Sequence, residues 1–409
     1  MTTPTCRFCG EPLSRVFADL GVSPLSNAYL RGDQLGRMEP FYPLTVYVCE
    51  RCLLVQLPAV ETPENLFSDY AYFSSYSESW LEHARLYCTA MKKRLGLGAD
   101  SQVIEIASND GYLLQYFARD GVPVLGIEPA ANVAEVARAK GVETIVKFFG
   151  VATGTELAAA GRQADLLLGN NVLAHVPDIN DFVAGIRVAL KPNGTTTMEF
   201  PHLMRLMIGN QFDTIYHEHF SYLSLLTVRQ IFSAHGLTVF DVDELPTHGG
   251  SLRIYAAHAE AAAVRPSVAA LEAREREFGL ARIDAYVGFA EQVRKTKRSL
   301  LQFLIRAKDE GKRVVGYGAP AKGNTLLNYC GVRTDFIDFT VDRSPHKQGL
   351  FLPGTRIPIH APEKIAEAKP DYILILPWNL RAEIVEQMRQ VREWGGRFVV
   401  PIPRVEVID

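Results

Sequence analysis

Two C-x-x-C pairs, Cys6/Cys9 and Cys49/Cys52, have 39 residues between them, and they constrain this chain more than any other feature. Each pair suits a tight knuckle that aims two thiolates at one ion, and two knuckles complete a tetrahedral four-cysteine zinc site. Four thiolates leave no position for water or substrate, so the zinc is expected to be structural. The spacer is longer than a short zinc ribbon needs and is expected to contribute part of the domain. Within it, Tyr42 to Val48 reads as a strand running into the second pair. Cys88 and Cys330 have no partner motif and read as packing residues.

Thiols and metal ligands rather than disulfides suit a cytoplasmic protein. The start, Met1-Thr-Thr-Pro-Thr-Cys6, has no basic stretch followed by an apolar one, as a secretory signal would. The most apolar short run, Tyr372 to Pro377, is far too short to span a bilayer, so no membrane partner is expected. The net charge of -3, without a long basic run, argues against nucleic acid.

With 409 residues, 47% of them hydrophobic, the chain has room for two or three domains. Residues 1–65 are loop-rich and hold the cysteine pairs. Residues 66–258 alternate strand-like and helix-like segments, the pattern of an α/β domain with a mainly parallel sheet. Its strands are expected at 102–106, 124–127, 164–168 and 194–198, with helices at 130–140 and 178–190 and a closing hairpin at 238–242 and 251–255. Residues 259–310 show an Ala, Glu, Arg and Lys pattern at helical spacing and read as a pair of connecting helices with a solvated charged face. Residues 311–409 read as a second α/β unit. There, a strand at 313–317 leads through a turn at 318–323 into a helix, and further strands are expected at 338–341, 372–376 and 398–400.

Three successive strand ends carry a ligand-binding pattern. Glu105-Ile-Ala107-Ser-Asn109-Asp-Gly111 follows the first strand and precedes a helix starting near Tyr112. Turns of this kind bring backbone close to a ligand at the carboxyl end of a parallel strand. The next strand ends in Glu128-Pro129, where an acidic side chain can accept hydrogen bonds from two ribose hydroxyls. The third ends in Asn170-Asn171 and runs on to His175. The series resembles the S-adenosylmethionine-binding motifs of class I methyltransferases, with one departure: Ala107 stands where the first-loop glycine is usual. A nicotinamide site lacks its G-x-G-x-x-G loop here.

The run Tyr216-His217-Glu218-His219 follows the strand at 194–198 and is expected in a loop at the ligand end of the sheet. Methylating a carbon requires removing its proton. A histidine can act as base near neutral pH, a carboxylate can orient it, and a tyrosine hydroxyl can hydrogen-bond a developing enolate oxygen. In extended backbone, alternate residues of the run would point opposite ways, making His217 or Glu218 structural. His175 could assist, or could cap the helix that follows it. His235 and His248 have no chemical neighbours in sequence and read as structural or surface residues.

Together, the four-cysteine unit, the methyltransferase-like strand ends, Tyr-His-Glu-His and the last α/β segment resemble the sugar C-methyltransferases of antibiotic biosynthesis. The resemblance covers nearly the whole chain. It implies a class I methyltransferase (Rossmann-like) α/β core between a small zinc domain and a C-terminal α/β domain. It also implies C-methylation of a thymidine diphosphate 4-keto-6-deoxy sugar, commonly at C-3 and sometimes at C-5. His219 is then the base, Glu218 its neighbour, and a tyrosine of the segment 70–76, Tyr70 in preference to Tyr76, a further active-site residue. The C-terminal domain would help bind the nucleotide-sugar, with Lys322, Gly323 and Asn324 at a helix start and Asp342, Arg343 and Lys347 after the next strand. A keto-sugar epimerase using the same proton abstraction is the competing reading, and a non-catalytic scaffold a third. The oligomeric state is left open, and a monomer satisfies the reading.

Overall fold

A computed structural model describes residues 3–62, 65, 74–76, 78–259 and 261–408, except for the side chain of Tyr76. The chain forms two compact units, and each draws on separated stretches of sequence. The first comprises residues 1–13, 49–203 and 220–283, the second residues 14–48, 204–219 and 284–409. The segment read as one cysteine-bearing piece therefore contributes to both. Its cysteine pairs belong to the first unit, and the strands between them, β1 (Arg15–Ser23) and β2 (Tyr42–Val48), form an antiparallel hairpin in the second.

In the first unit, the short strand β3 (Val55–Gln56) follows the second cysteine pair, and helix α1 (Glu78–Leu95) leads into the sheet. Strands β4 (Val103–Ile106), β5 (Val124–Ile127), β6 (Thr144–Ile145), β7 (Ala164–Asn170) and β8 (Leu190–Pro201) run parallel. All four residues of β4 are buried, the continuous apolar run expected of a strand covered on both faces. Helices α2 (Ala131–Ala139) and α3 (Ile179–Ala189) lie among the crossovers, and Asp178 caps α3 by accepting from Asp181 N–H. The two-residue strand β9 (Ser221–Tyr222) pairs with β3, and helix α4 (Leu225–Ala234) follows. Strands β10 (Leu237–Leu245) and β11 (Ser251–His258) then close the sheet as an antiparallel hairpin, β11 against β8.

The sheet order is β10-β11-β8-β7-β4-β5-β6. Successive strands run one way from β4 to β6 and the other way from β4 to β8. In open α/β sheets, ligands bind outside the carboxyl ends of the strands at such a reversal. Here that point is the crevice mouth between β4 and β7.

The stretch 259–310 carries two long helices. Helix α5 (Pro266–Phe278) starts with proline at its first position and stops at Gly279 in the left-handed region. It belongs to the first unit, whereas helix α6 (Phe289–Asp309) belongs to the second. Nor is the charge on α5 wholly solvated. Glu275 is completely buried, accepts from the Leu225 and Leu226 N–H groups that open α4, and pairs with His202 Nε2 at 2.7 Å. Burying a carboxylate requires such partners.

The second unit is built on strands β12 (Val314–Tyr317), β13 (Thr340–Val341), β14 (Ile359–His360), β15 (Tyr372–Ile375), β16 (Arg397–Val400) and β17 (Glu406–Ile408), ordered β14-β13-β12-β15-β16-β17. All are parallel except β17. Helix α7 (Ala321–Cys330) follows β12. Phe17 of β1 stacks on Phe289 of α6 with ring centroids 4.5 Å apart, a contact of about 0.5–1.5 kcal/mol beyond area burial. Among the described residues, no helix is long and apolar enough to cross a membrane.

Candidate functional site

The four cysteine sulfurs lie within 4.8 Å of one another, with Cys6–Cys52 and Cys9–Cys49 each at 3.5 Å. A tetrahedron of ~2.3 Å zinc–sulfur bonds has edges of about 3.8 Å, so the cluster already has the right size. Each pair sits on a tight turn: Gly10 N–H donates to Cys6 O and Leu53 N–H to Cys49 O, with Gly10 and Leu53 at positive φ. The Gln56 amide donates to Cys6 Sγ at 3.1 Å and accepts from Arg7 N–H at 2.8 Å, which orients one ligand. Arg7 then donates to the carbonyls of Pro177 and Leu57, while Asn180 donates to the Arg7 and Phe8 carbonyls. The cysteine turns thus brace the segment that follows β7 and carries His175.

The expected cofactor residues Glu105, Ala107, Asn109, Gly111, Tyr112, Glu128, Pro129, Asn170 and Asn171 all sit at or just beyond the carboxyl ends of β4, β5 and β7. The first loop coils through left-handed backbone at Ala107 (φ 54°), Asn109 (φ 49°) and Gly111 (φ 74°). Ala107 therefore takes the conformation that a glycine would supply, at some steric cost. At Gly111 a side chain would meet Val142 Cγ2 at 3.1 Å and Ala137 Cβ at 3.3 Å. Glu128 holds the loop: one oxygen accepts from Asn109 N–H at 2.8 Å, the other from Ala130 N–H at 2.9 Å. Burial raises its pKa, and those two N–H groups counter the rise.

Glu105 is wholly buried, and burial pushes its pKa well above the usual carboxyl range. The Tyr112 hydroxyl pulls that value back in part without closing a well-formed bond. Both Glu105 oxygens, Asp110 Oδ1, the Asn170 amide and Asn171 Oδ1 are enclosed without a hydrogen-bond partner among the described residues. Enclosed polar atoms without partners are costly. A ligand bringing ammonium, amine or hydroxyl donors to this crevice would satisfy most of them. His175 ends a short 3₁₀ turn, Leu173–His175, and does not cap α3, since Asp178 does.

Tyr216, His217, Glu218 and His219 belong to the second unit. The run is a turn, not extended backbone: His219 N–H donates to Tyr216 O at 2.9 Å. The turn brings the Tyr216 and His219 rings together, with centroids 4.0 Å apart and planes tilted by 34°, and both residues are half-buried. Between them, His217 and Glu218 are buried. His217 Nε2–H donates to Pro43 O at 3.1 Å, and burial lowers its pKa, which fits a structural role. Glu218 accepts from Asn27 Nδ2 at 2.7 Å, and burial pushes its carboxyl up to about 7. The partner on His219 Nδ1 is the Thr214 carbonyl at 2.7 Å, so this backbone oxygen, and not Glu218, fixes the imidazole there. Tyr70 lies outside the described residues.

The expected substrate residues of the second unit surround the carboxyl end of β12 and the start of α7. Asp342 accepts from the N–H groups of Ala319 and Ser344, and Lys347 donates to Ala319 O at 2.9 Å. Asn324 is buried, donates to Ser26 O at 2.6 Å and leaves its Oδ1 without a partner among the described residues. The Lys322 ammonium points inward: it donates to Asn379 Oδ1 at 2.8 Å and lies 4.8 Å from the Trp378 ring, and burial lowers its pKa. Its counter-ion is Asp213, buried, pushed up to about 6 and receiving Trp378 Nε1–H at 2.7 Å. Asn27, Thr214, Asp213 and Trp378 carried no sequence signal, because each acts through a partner distant in the chain or through backbone.

Three family models match the chain: a zinc binding domain over residues 6–67, a methyltransferase domain over 80–242 and a C-methyltransferase C-terminal domain over 246–403. C-methyltransferase NovU of Streptomyces niveus is 41% identical over 405 residues, spanning 99% of this chain and 96% of that protein. A ubiquinone biosynthesis O-methyltransferase of Chelativorans sp. is 33% identical over 94 residues, 23% of this chain and 37% of that one. Among solved structures, an S-adenosylmethionine-dependent methyltransferase from Mesorhizobium loti aligns with 43% of this chain and 99% of its own, at 14% identity and a TM-score of 0.35.

Proposed function

The chain belongs to the C-methyltransferase family, and from that premise we propose that it methylates a carbon beside the keto group of a nucleotide-linked 4-keto-6-deoxy sugar, at C-3 by preference. The methyl donor is S-adenosylmethionine, which when bound supplies an electrophilic methyl on a sulfonium. Glu105, Asp110, Glu128, Asn170 and Asn171 would hold it. The partnerless acceptors among them suit its ammonium, amine and hydroxyl groups. The four-cysteine cluster holds a structural zinc.

The observation that carries the mechanism is the Tyr216–His219 turn. A carbonyl only accepts, so the 2.7 Å contact with Thr214 O places a proton on His219 Nδ1. In the neutral ring the lone pair then lies on Nε2, which takes the C–H proton. The carbonyl steadies the imidazolium that results. Tyr216, its ring centroid 4.0 Å from that of the imidazole, packs against it, and its hydroxyl serves the enolate oxygen. Glu218 favours a second assignment of the base, because a carboxyl titrating at about 7 is itself poised for proton abstraction. The epimerase reading loses its motive, because Ala107 follows the left-handed path that the usual glycine would take.

The reading is tested by incubating the purified protein with S-adenosylmethionine and a panel of 4-keto nucleotide-sugars, followed by mass spectrometry. Gain of one methyl is expected. Proton exchange without methyl gain would instead make it an epimerase-like enzyme, and no change with any sugar would remove the substrate class.

A further inference from the structure

The β10–β11 hairpin brings its turn to the cofactor edge of the first unit's sheet, since Ser251 of β11 lies opposite Pro201 at the carboxyl end of β8. That turn is Thr247-His248-Gly249-Gly250. His248 has φ 53° and ψ 20°, left-handed backbone that favours glycine, and Gly249 (φ 91°) and Gly250 (φ 120°) continue it. The conformation is imposed from several sides. Thr247 Oγ1–H donates to Glu199 Oε1 at 3.0 Å, Gly250 N–H to Thr247 O at 2.8 Å, and His202 N–H to Gly250 O at 3.0 Å. Strained residues held this way concentrate at ligand sites.

The strained imidazole has a specific neighbour. His248 Nε2 accepts from Asn171 Nδ2 at 3.0 Å, and Asn171 is itself left-handed, at φ 56°. Asn171 N–H is fixed on Glu199 O at 2.7 Å, so the residue is pinned by backbone at one end and by His248 at the other. With Nδ2 turned to His248, Asn171 Oδ1 faces away, enclosed and without a partner among the described residues. The same imidazole lies 5.4 Å from the Trp80 ring, which stacks on Tyr112 of the first loop at 6.1 Å.

We propose that His248 is a positioning residue of the cofactor site: it sets the Asn171 amide so that its oxygen accepts from an ammonium or amine of the bound cofactor. The inference rests on the reading that S-adenosylmethionine occupies the carboxyl ends of β4, β5 and β7. Among the described residues, His248 reaches the cofactor edge through its hydrogen bond to Asn171 and its ring contact with Trp80.

The test is His248→Gly, which suits the backbone better and removes only the imidazole. S-adenosylmethionine is titrated calorimetrically into wild type and variant, and both are melted without it. The expected result is a Kd about tenfold weaker in the variant with a melting temperature that is not lowered, because glycine relieves the left-handed strain. An unchanged Kd overturns the proposal, and so does a weaker Kd accompanied by a lowered melting temperature, which is what a merely structural histidine would give. If wild type itself fails to bind, the cofactor reading falls and takes the proposal with it, an outcome distinct from binding that is indifferent to His248.

Discussion

Glu218→Gln should stabilise the protein at alkaline pH and have little effect in acid. The Glu218 side chain is 5% exposed, and Asn27 Nδ2 donates to it at 2.7 Å. Burial holds its carboxyl at about 7 against an ordinary 4.5. Below 4.5 the group is protonated in both folded and unfolded chains and contributes nothing to pH dependence. Between 4.5 and about 7 the unfolded chain releases the proton and the folded one keeps it, so stability falls as pH rises. Above about 7 the loss is complete, and the gap between the two values corresponds to about 3 kcal/mol. Glutamine keeps an acceptor for Asn27 but does not titrate. Urea unfolding of wild type and variant near each end of that window should give similar midpoints in acid and a more stable variant, by about 3 kcal/mol, in base. A difference that stays constant with pH would refute the reasoning, because it would mean that the carboxyl is not held neutral by burial.

Three further outcomes follow from the geometry. Cys49→Ser should lose the zinc and lower the melting temperature, because the other three sulfurs cannot complete the 4.8 Å cluster; elemental analysis showing one zinc per variant chain would contradict this. Gly111→Ala places a Cβ 3.1 Å from Val142 Cγ2 at φ 74° and should cost at least about 1–2 kcal/mol of stability, checked by thermal melting. Glu128→Ala removes the acceptor of two N–H groups at 2.8 and 2.9 Å and should weaken S-adenosylmethionine binding at least about tenfold by calorimetry.

The strand ends were legible because continuous buried runs such as Val103–Ile106 announce parallel strands, and a ligand at their carboxyl ends follows from the fold's geometry. The cysteine cluster was legible from spacing alone. The Tyr216–His219 turn was not. Nothing in the run shows that it closes on itself, and the group that orients His219 is a backbone carbonyl. Asn27, which pairs with Glu218, lies 191 positions away, and Trp378, which pairs with Asp213, lies 165 away. Glu275 reads as a surface charge until α4 supplies two N–H groups to it, and His248 reads as a lone histidine until the hairpin carries it to Asn171. In each case the missing information is tertiary, because backbone donors and acceptors are the same at every position.

The central claim is that His219 takes the proton whose loss makes the carbon nucleophilic. It is tested most directly by washout of deuterium from C-3 of the keto nucleotide-sugar, measured for wild type, His219→Ala, His217→Ala and Glu218→Gln, with S-adenosylmethionine affinity measured on each. General-base catalysis contributes on the order of a hundred- to ten-thousand-fold. His219→Ala should therefore lose washout on that scale and keep cofactor affinity, while His217→Ala, its imidazole committed to Pro43 O, and Glu218→Gln keep most of the washout. Washout that survives in His219→Ala and disappears in Glu218→Gln would contradict the account and make the Glu218 carboxylate the base.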